Sequence, residues 1–288
     1  MTLRWVRADL IAETLLATWV APDAAAPIDS PRPVIHPLAT PGGIVVTDSS
    51  PADHSWHRGL SLAISNISVE GETEPVNLWG GVTWSDGVPG KGGAYRQLDN
   101  NGEQRQLELE LAESTARARL EWVTRAGRVI IHEERVVAAS IERDSLERPY
   151  LALHWTSRLE NVSGGVLGLG SPTTAGRPDA GYGGLFLRGA PELAGADVLM
   201  DGRGVIADSA AMGQTARWAA LRGSSATVVM RSAPAPWFVR STPPMLCAAP
   251  FFYEEASLGI DGVLELDWDV LVTDASWTPD EVERALSS

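Results

Sequence analysis

Apolar and polar residues alternate along most of the patterned part of the chain. The alternation is clearest in four segments, residues 107–111, 116–122, 151–159 and 264–270. A period of two is typical of a β-strand with one buried and one solvated face, because successive side chains point to opposite sides. We therefore predict half-buried strands in these segments, with the indoles of Trp122, Trp155 and Trp268 in the core.

Turn signals separate the strand segments at close spacing. They include Ala126-Gly127, Asp261-Gly262 and Asn100-Asn101-Gly102, and short turns join antiparallel rather than parallel neighbours. With roughly fifteen or more strands, the layouts that bury every apolar face are two packed sheets or a barrel. We predict an all-β fold, a large antiparallel β-sandwich, formed as a single domain by residues 1–288.

One helix is predicted, at the C-terminal end of the chain. Thr278 is an N-cap residue, Pro279 suits the first helical turn, and Glu281 completes a capping box. The helix should extend to about Leu286 and pack on an edge or end of a sheet.

Charge and composition exclude several classes of function. The chain has 23 basic and 37 acidic residues, a net charge of -14, and such a field repels nucleic acid. No segment has the roughly 18 consecutive apolar residues of a membrane span. The first 22 residues lack a signal-peptide pattern, so we expect a cytoplasmic protein. The one cysteine, Cys247, excludes disulfides and thiolate clusters, and the one lysine, Lys91, makes Schiff-base chemistry improbable.

Three of the five histidines lie close together in the sequence. His36 is followed by Asp53-His54-Ser55-Trp56-His57-Arg58, and imidazole is the side chain best suited to proton transfer near neutral pH. In one interpretation, His54 and His57 are acid and base, oriented by His36 and Asp53, and Arg58 binds substrate. In the other, the three imidazoles of His36, His54 and His57 bind a divalent metal, with Asp53 as a ligand or ligand partner.

Further residues have the chemistry of a sugar-binding site. Flat aromatic faces pack against sugar rings, arginines bind carboxylates or hydroxyls, and glycine-rich segments let the backbone approach a ligand. The candidate substrate-binding residues are Arg58, Trp79, Tyr182, Arg188, Trp237 and Arg240. Glu254 and Glu255 end an apolar strand and are better explained as a solvated strand end than as a catalytic base.

Several blocks of the chain resemble a bacterial family labelled "methane oxygenase PmoA", or PmoA-like. The similar blocks, in the same order over about residues 30 to 272, are residues 32–38, 40–43, 53–60, 182–188, 236–240 and 250–252. The resemblance implies a large antiparallel sandwich, similar to the supersandwich of aldose epimerases, and an association with sugar catabolism. The methane-oxygenase label itself conflicts with the lack of a membrane span. The family commonly has a histidine where this chain has Trp56, which favours a site without a metal.

The sequence supports three functional hypotheses. The first is an enzyme that acts on a sugar or oxidised sugar by histidine acid/base proton transfer, with no cofactor and a sugar-like small molecule as its partner. The second is a sandwich that binds carbohydrate without chemistry. The third is a metal-dependent oxygenase or hydrolase built on the three clustered histidines. The sequence indicates no oligomeric state.

Overall fold

The structure is a computed structural model that describes residues 2–6, 15–22, 26–85 and 93–287. The first ten strands are β1 (Thr2–Val6), β2 (Leu15–Val20), β3 (Val34–Leu38), β4 (Leu60–Ile64), β5 (Asn66–Val69), β6 (Thr83–Ser85), β7 (Ala94–Arg96), β8 (Glu103–Leu111), β9 (Thr115–Val123) and β10 (Val129–Arg143).

The second half of the chain contains ten more strands and two α-helices. The strands are β11 (Pro149–Asn161), β12 (Leu167–Gly170), β13 (Gly183–Arg188), β14 (Asp197–Met200), β15 (Gly204–Ile206), β16 (Thr215–Arg222), β17 (Thr227–Ser241), β18 (Pro244–Ala248), β19 (Ala256–Leu258) and β20 (Val263–Thr273). The helices are α1 (Asp208–Ala211) and α2 (Pro279–Leu286). The predicted all-β class is confirmed, although the single turn of α1 was not predicted.

Fifteen strands form one large antiparallel sheet. Its order is β1-β2-β3-β4-β13-β18-β17-β20-β11-β10-β9-β8. Three further strands branch from β17, since β16 pairs with β17, β14 with β16, and β15 with β14. Strand β17 joins the two halves of this sheet, because residues 227–232 pair with β20 and residues 237–241 pair with β18. Two smaller sheets, β19-β12-β5 and β6-β7, complete the architecture.

The two halves of the large sheet pack face to face around one apolar core. Leu62 and Leu185 from one half belong to the same buried cluster as Trp122, Trp155 and Trp268 from the other. The predicted core positions of these three tryptophans are confirmed, and the fold is the predicted antiparallel β-sandwich. No helix in the described part of the chain is long and apolar enough to cross a membrane.

The alternation of β8 departs from the prediction. Leu107 was expected on the buried face, but its exposed fraction is 52%. The pairing of β8 with β9 shifts register between Gln106 and Glu108, and such a bulge reverses the side-chain direction. Gln104 therefore occupies the buried face of this edge strand, where its Nε2 donates to the carbonyl oxygen of Leu62 at 2.9 Å.

The sandwich core contains one ion pair with no solvent exposure. Arg135 donates from Nε to Glu133 Oε1 at 2.7 Å and from Nη2 to Glu133 Oε2 at 2.8 Å. The remaining contacts of Glu133 are the indole N–H of Trp122 at 2.7 Å and the hydroxyl of Ser157 at 2.6 Å. The Arg135 guanidinium lies 4.9 Å from the ring centroid of Trp155. A buried carboxylate is stable here because charged and polar donors surround it.

The C-terminal helix has the predicted capping box. The backbone N–H of Glu281 donates to Thr278 Oγ1, and the Glu281 carboxylate accepts from the Thr278 backbone N–H at 2.8 Å. Val282 and Ala285 of α2 are buried with Trp277 in a second apolar cluster. The helix thus covers an outer face of the sheet, whereas the sequence had predicted packing on an edge or end.

Candidate active site

The candidate site lies on the outer face of the adjacent strands β4, β13, β18 and β17. Leu187, Val239 and Leu246 point into the sandwich core, so the residues that alternate with them face away from it. Strand register forms rows on this outer face: Met245 pairs with both Arg188 and Arg240. The pocket above these rows has a volume of about 320 Å³, and its floor consists of Arg188, Phe238, Arg240 and Met245.

A loop at residues 50–58 brings the predicted imidazoles to this pocket. Two successive turns are closed by His54 N–H to the Pro51 carbonyl at 3.0 Å and by His57 N–H to the His54 carbonyl at 2.9 Å. Because the histidines are three residues apart in these turns, their rings stack with centroids 4.7 Å apart and an angle of 16°. Both rings line the pocket together with Asp53 and Trp56.

Asp53 and His54 form a hydrogen-bonded dyad at the pocket. His54 Nδ1 lies 2.8 Å from Asp53 Oδ2, and Arg188 Nη2 lies 3.7 Å from Asp53 Oδ1. The hydrogen bond from His54, aided by the charge of Arg188, lowers the pKa of Asp53, so Asp53 accepts. We assign the ring proton of His54 to Nδ1 on this basis, which leaves a lone pair on Nε2.

His57 is the buried partner of the dyad. Its exposed fraction is 7%, and its ring packs between Trp79 and Phe186, with centroids 6.0 and 5.2 Å away. Burial, reinforced by His54 and Arg188, lowers the pKa of His57 to about 3. Arg188 Nη1 lies 3.3 Å from His57 Nδ1. Since guanidinium can only donate, this assigns the proton of neutral His57 to Nε2.

A second group of polar and aromatic residues closes the pocket on another side. The hydroxyls of Tyr95 and Tyr182 are 3.0 Å apart, and Arg177 donates to Tyr95. The Arg177 guanidinium also lies 4.5 Å from the centroid of the Tyr95 ring. Trp79 connects this group to His57, because its ring centroid is 4.6 Å from that of Tyr182 and 6.0 Å from that of His57.

Buried Arg32 holds the loops of the pocket together. Its Nη1 donates to the carbonyls of Ser30 at 3.1 Å and Trp79 at 3.0 Å, and its Nη2 donates to the carbonyl of Trp56 at 2.8 Å. Burial, with the charge of Arg58, lowers the pKa of Arg32 to about 9. Arg32 therefore ties two tryptophans of the pocket wall to one fixed cation.

Three predicted site residues lie elsewhere. His36 is half-buried with Nδ1 at 3.0 Å from Thr47 Oγ1, and burial lowers its pKa. Trp237 is fully buried in the sandwich core, and its indole N–H donates to the Ala216 carbonyl at 3.0 Å. Neither of these, nor half-buried Arg58, lines the pocket. The side-chain hydrogen bond of His36 is thus to Thr47, and not to Asp53 or His54.

Glu254 and Glu255, at the end of their apolar segment, do not line the pocket either. Glu254 is exposed, and the carboxylate of Glu255 accepts from the Ser68 hydroxyl at 3.0 Å. Lys91 lies outside the described residues. Among the residues that are described, no group of three or more histidine, cysteine, aspartate or glutamate side chains is arranged to hold a metal ion.

Sequence reasoning missed Tyr95, Arg177 and Phe238. Phe238 had a signal in the sequence: it alternates with Trp237, so only one of the two shares a face with Arg240. Tyr95 and Arg177 had none, because they lie 82 positions apart and meet only through the tertiary fold. Of the predicted residues, the structure brings together Asp53, His54, His57, Trp79, Tyr182, Arg188 and Arg240.

Comparison with known proteins gives a family but no activity. The sequence matches the family of unknown function DUF6807 over residues 10–287, so the chain belongs to that family. No curated protein matches it. A solved structure, the crystal structure of HI1317, is similar over 95% of this chain and 100% of its own, with 9% identity and a TM-score of 0.29.

The family match corrects the resemblance inferred from the sequence blocks. The PmoA-like assignment is wrong, because the family that matches almost the whole chain is DUF6807 and nothing links it to methane oxygenases. The blocks have a structural meaning instead. Residues 53–60 carry the dyad loop, and residues 182–188 and 236–240 lie in or beside β13 and β17, which form the pocket floor.

Proposed function

We propose that the protein is an enzyme that acts on a sugar or an oxidised sugar by proton transfer. The observation that carries this proposal is the Asp53–His54 dyad, with His54 Nδ1 at 2.8 Å from the carboxylate, beside a neutral His57 in the same pocket. An imidazole oriented by a carboxylate is a common general base.

The two imidazoles suit different roles in that reaction. His54 has its lone pair on Nε2 and is the general base, which removes a proton from a carbon next to a carbonyl or from a sugar hydroxyl. His57 keeps a neutral ring with its proton on Nε2, and a neutral imidazole can donate to the oxygen on which charge develops. Arg188, 3.3 Å from His57 and 3.7 Å from Asp53, stabilises that charge.

The wall of the pocket supports the substrate class. Trp79, Tyr182 and Phe238 present aromatic surface, and the hydroxyls of Tyr95 and Tyr182 lie beside it. Aromatic faces pack on the C–H faces of a sugar while hydroxyls and guanidiniums bond its oxygens. The pocket volume of about 320 Å³ is near the lower end of the range for small-molecule sites, which favours a monosaccharide.

Proton NMR in D₂O tests the proposal directly. The protein is incubated with neutral sugars, keto-sugars and sugar acids, and we expect at least one to lose a C–H resonance to deuterium or to form a new resonance. His54→Gln should slow this reaction by about 100-fold or more, the contribution of a general base.

The matched control is His154→Gln. His154 Nδ1 lies 2.9 Å from Asp269 in an exposed pair of the same type, outside this pocket, so its loss should leave the rate unchanged. Saturable sugar binding without any spectral change would identify a binding protein instead. An unchanged rate in His54→Gln would refute the assignment of the base.

A further inference from the structure

Two arginines of the pocket are not engaged by the dyad. Arg240 is exposed, and its guanidinium lies 5.4 Å from the centroid of the Phe238 ring. Arg177 is half-buried against Tyr95. Within the described residues, no carboxylate lies within salt-bridge distance of either guanidinium, whereas Arg188 has one in Asp53. Arg177 and Arg240 are therefore cations whose charge the described part of the chain leaves uncompensated.

The guanidiniums of Arg177 and Arg240 lie at the same end of the pocket. Arg177 donates to the Tyr95 hydroxyl, which lies 3.0 Å from that of Tyr182. The Arg240 guanidinium lies 5.4 Å from the centroid of Phe238, whose ring centroid is 5.5 Å from that of Tyr182. Arg188 lies instead beside the dyad, 3.3 Å from His57 Nδ1 and 3.7 Å from Asp53 Oδ1. The pocket thus has a dyad end and a cationic end, which we define by Arg177 and Arg240.

The backbones of Arg188, at the dyad end, and Arg240, at the cationic end, lie on two strands separated by β18. Arg188 and Arg240 both pair with Met245, so they are two strand spacings apart, about 10 Å. Among the described residues that line the pocket, Asp53 is the one with an acidic side chain, and His54 and Arg188 already engage it. A neutral ligand would leave the cationic end without a counter-charge.

We propose that the ligand is a monosaccharide acid, a uronate or an aldonate, whose carboxylate binds between Arg177 and Arg240 while its reacting carbon lies at His54. The placement of the reacting carbon rests on the proposed function, but the carboxylate site does not. Guanidinium matches the planar, two-oxygen geometry of a carboxylate better than any other side chain does. One of the hydroxyls of Tyr95 and Tyr182 donates to the other, and the remaining hydroxyl hydrogen can donate to the same carboxylate.

Binding of sugar acids is compared with binding of neutral sugars of similar shape, so that the effect of the carboxylate charge can be measured by itself. D-Glucuronate, D-galacturonate and D-gluconate are compared with D-glucose, D-galactose and D-glucitol, by thermal shift and then calorimetry at constant ionic strength. We expect at least one acid to bind at least about 10-fold more tightly than its neutral counterpart, the value of one charge-assisted hydrogen bond. D-Glucuronamide removes only the charge of D-glucuronate, and acetate controls for anion binding in general.

Arginine variants locate the carboxylate. Arg240→Gln and Arg177→Gln should each weaken binding of the acid by about 10-fold or more and weaken binding of the neutral sugar less, so that the preference for the acid falls. Arg117→Gln is the control, because Arg117 is exposed on β9, away from the pocket. Arg240 is exposed, so its loss should not unfold the protein, and the melting temperature without ligand verifies this.

The outcomes distinguish this inference from the proposed function. Acids that bind through Arg177 and Arg240 but undergo no proton exchange in D₂O would support the carboxylate site and refute the catalytic proposal. Turnover of a neutral sugar, with the acids binding no more tightly than their neutral counterparts, would support the catalytic proposal and refute the carboxylate site. The carboxylate site is also refuted if none of the three acids binds, or if both arginine variants bind the acid as tightly as the wild type.

Discussion

The neutral state of His57 predicts a measurable loss of stability in mild acid. The ordinary pKa of histidine is 6.5, and burial in the folded protein lowers the pKa of His57 to about 3. Between these values the unfolded chain binds a proton that the folded chain does not bind. The free energy of unfolding should therefore fall as the pH falls below 6.5, and this loss should continue down to about pH 3.

The magnitude follows from the two pKa values. Each pH unit between them changes the free energy of unfolding by about 1.4 kcal/mol. From pH 8 to pH 5, His57 should lower the free energy of unfolding by about 2 kcal/mol. Almost all of this loss occurs below pH 6.5, the ordinary pKa of histidine that applies to the unfolded chain. Carboxylates such as Asp53, whose pKa is lowered, add their own losses at still lower pH.

Comparison of the wild type with His57→Gln isolates the contribution of His57 to the free energy of unfolding. Urea unfolding is followed by tryptophan fluorescence from pH 8 to pH 5 in the wild type and in His57→Gln, and the difference between their unfolding free energies is plotted against pH. The advantage of the wild type should decrease by about 2 kcal/mol over this range. His132→Gln, which removes an imidazole from the exposed face of β10, is the control. A flat difference for His57→Gln would refute a neutral, desolvated ring.

Three further predictions concern buried polar groups. Arg32→Met leaves the carbonyls of Trp56 and Trp79 without their donor, so urea unfolding should show a loss of about 3–5 kcal/mol; a loss under about 1 kcal/mol would contradict this. Glu133→Gln leaves buried Arg135 without its counter-charge, and should cost about 3–5 kcal/mol in the same assay. Cys247 is fully buried, and burial raises its pKa to about 12. A thiol reagent at pH 8 should therefore label it about 100-fold more slowly in the folded than in the urea-unfolded protein; equal rates would show that the thiol is accessible.

The fold could be predicted from the sequence because alternation is a local property. The segments at 116–122 and 151–159 form β9 and β11 with the expected faces buried. The prediction failed for Leu107, because a bulge depends on the partner strand and leaves no trace in the alternation itself. Asn100 and Asn101 also mislead as a turn signal, since both are buried and bond to neighbouring loops instead of closing a hairpin.

The site could be predicted only where its residues are neighbours in the sequence. Asp53, His54 and His57 lie in one loop, so their proximity followed from spacing alone. Trp237 was selected for its residue type, and the structure shows that the alternation within β17 places Phe238 in the pocket instead. The position of Arg177 beside Tyr95 depends on how a loop and the distant strand β7 converge over the sheet, which no local pattern encodes.

The charge of the whole chain does not argue against an anionic ligand. The net charge of -14 is spread over the surface, and at physiological ionic strength the field of an exposed charge is screened within about 8 Å. Within that distance of the cationic end, Arg177 and Arg240 dominate the electrostatic field. They line a concave site with partly buried walls, where salt screens charges less. The acidic surface lowers the rate at which an anion arrives, whereas the pocket sets how long it stays. Added salt should therefore raise the association rate of a sugar acid and raise its dissociation rate as well.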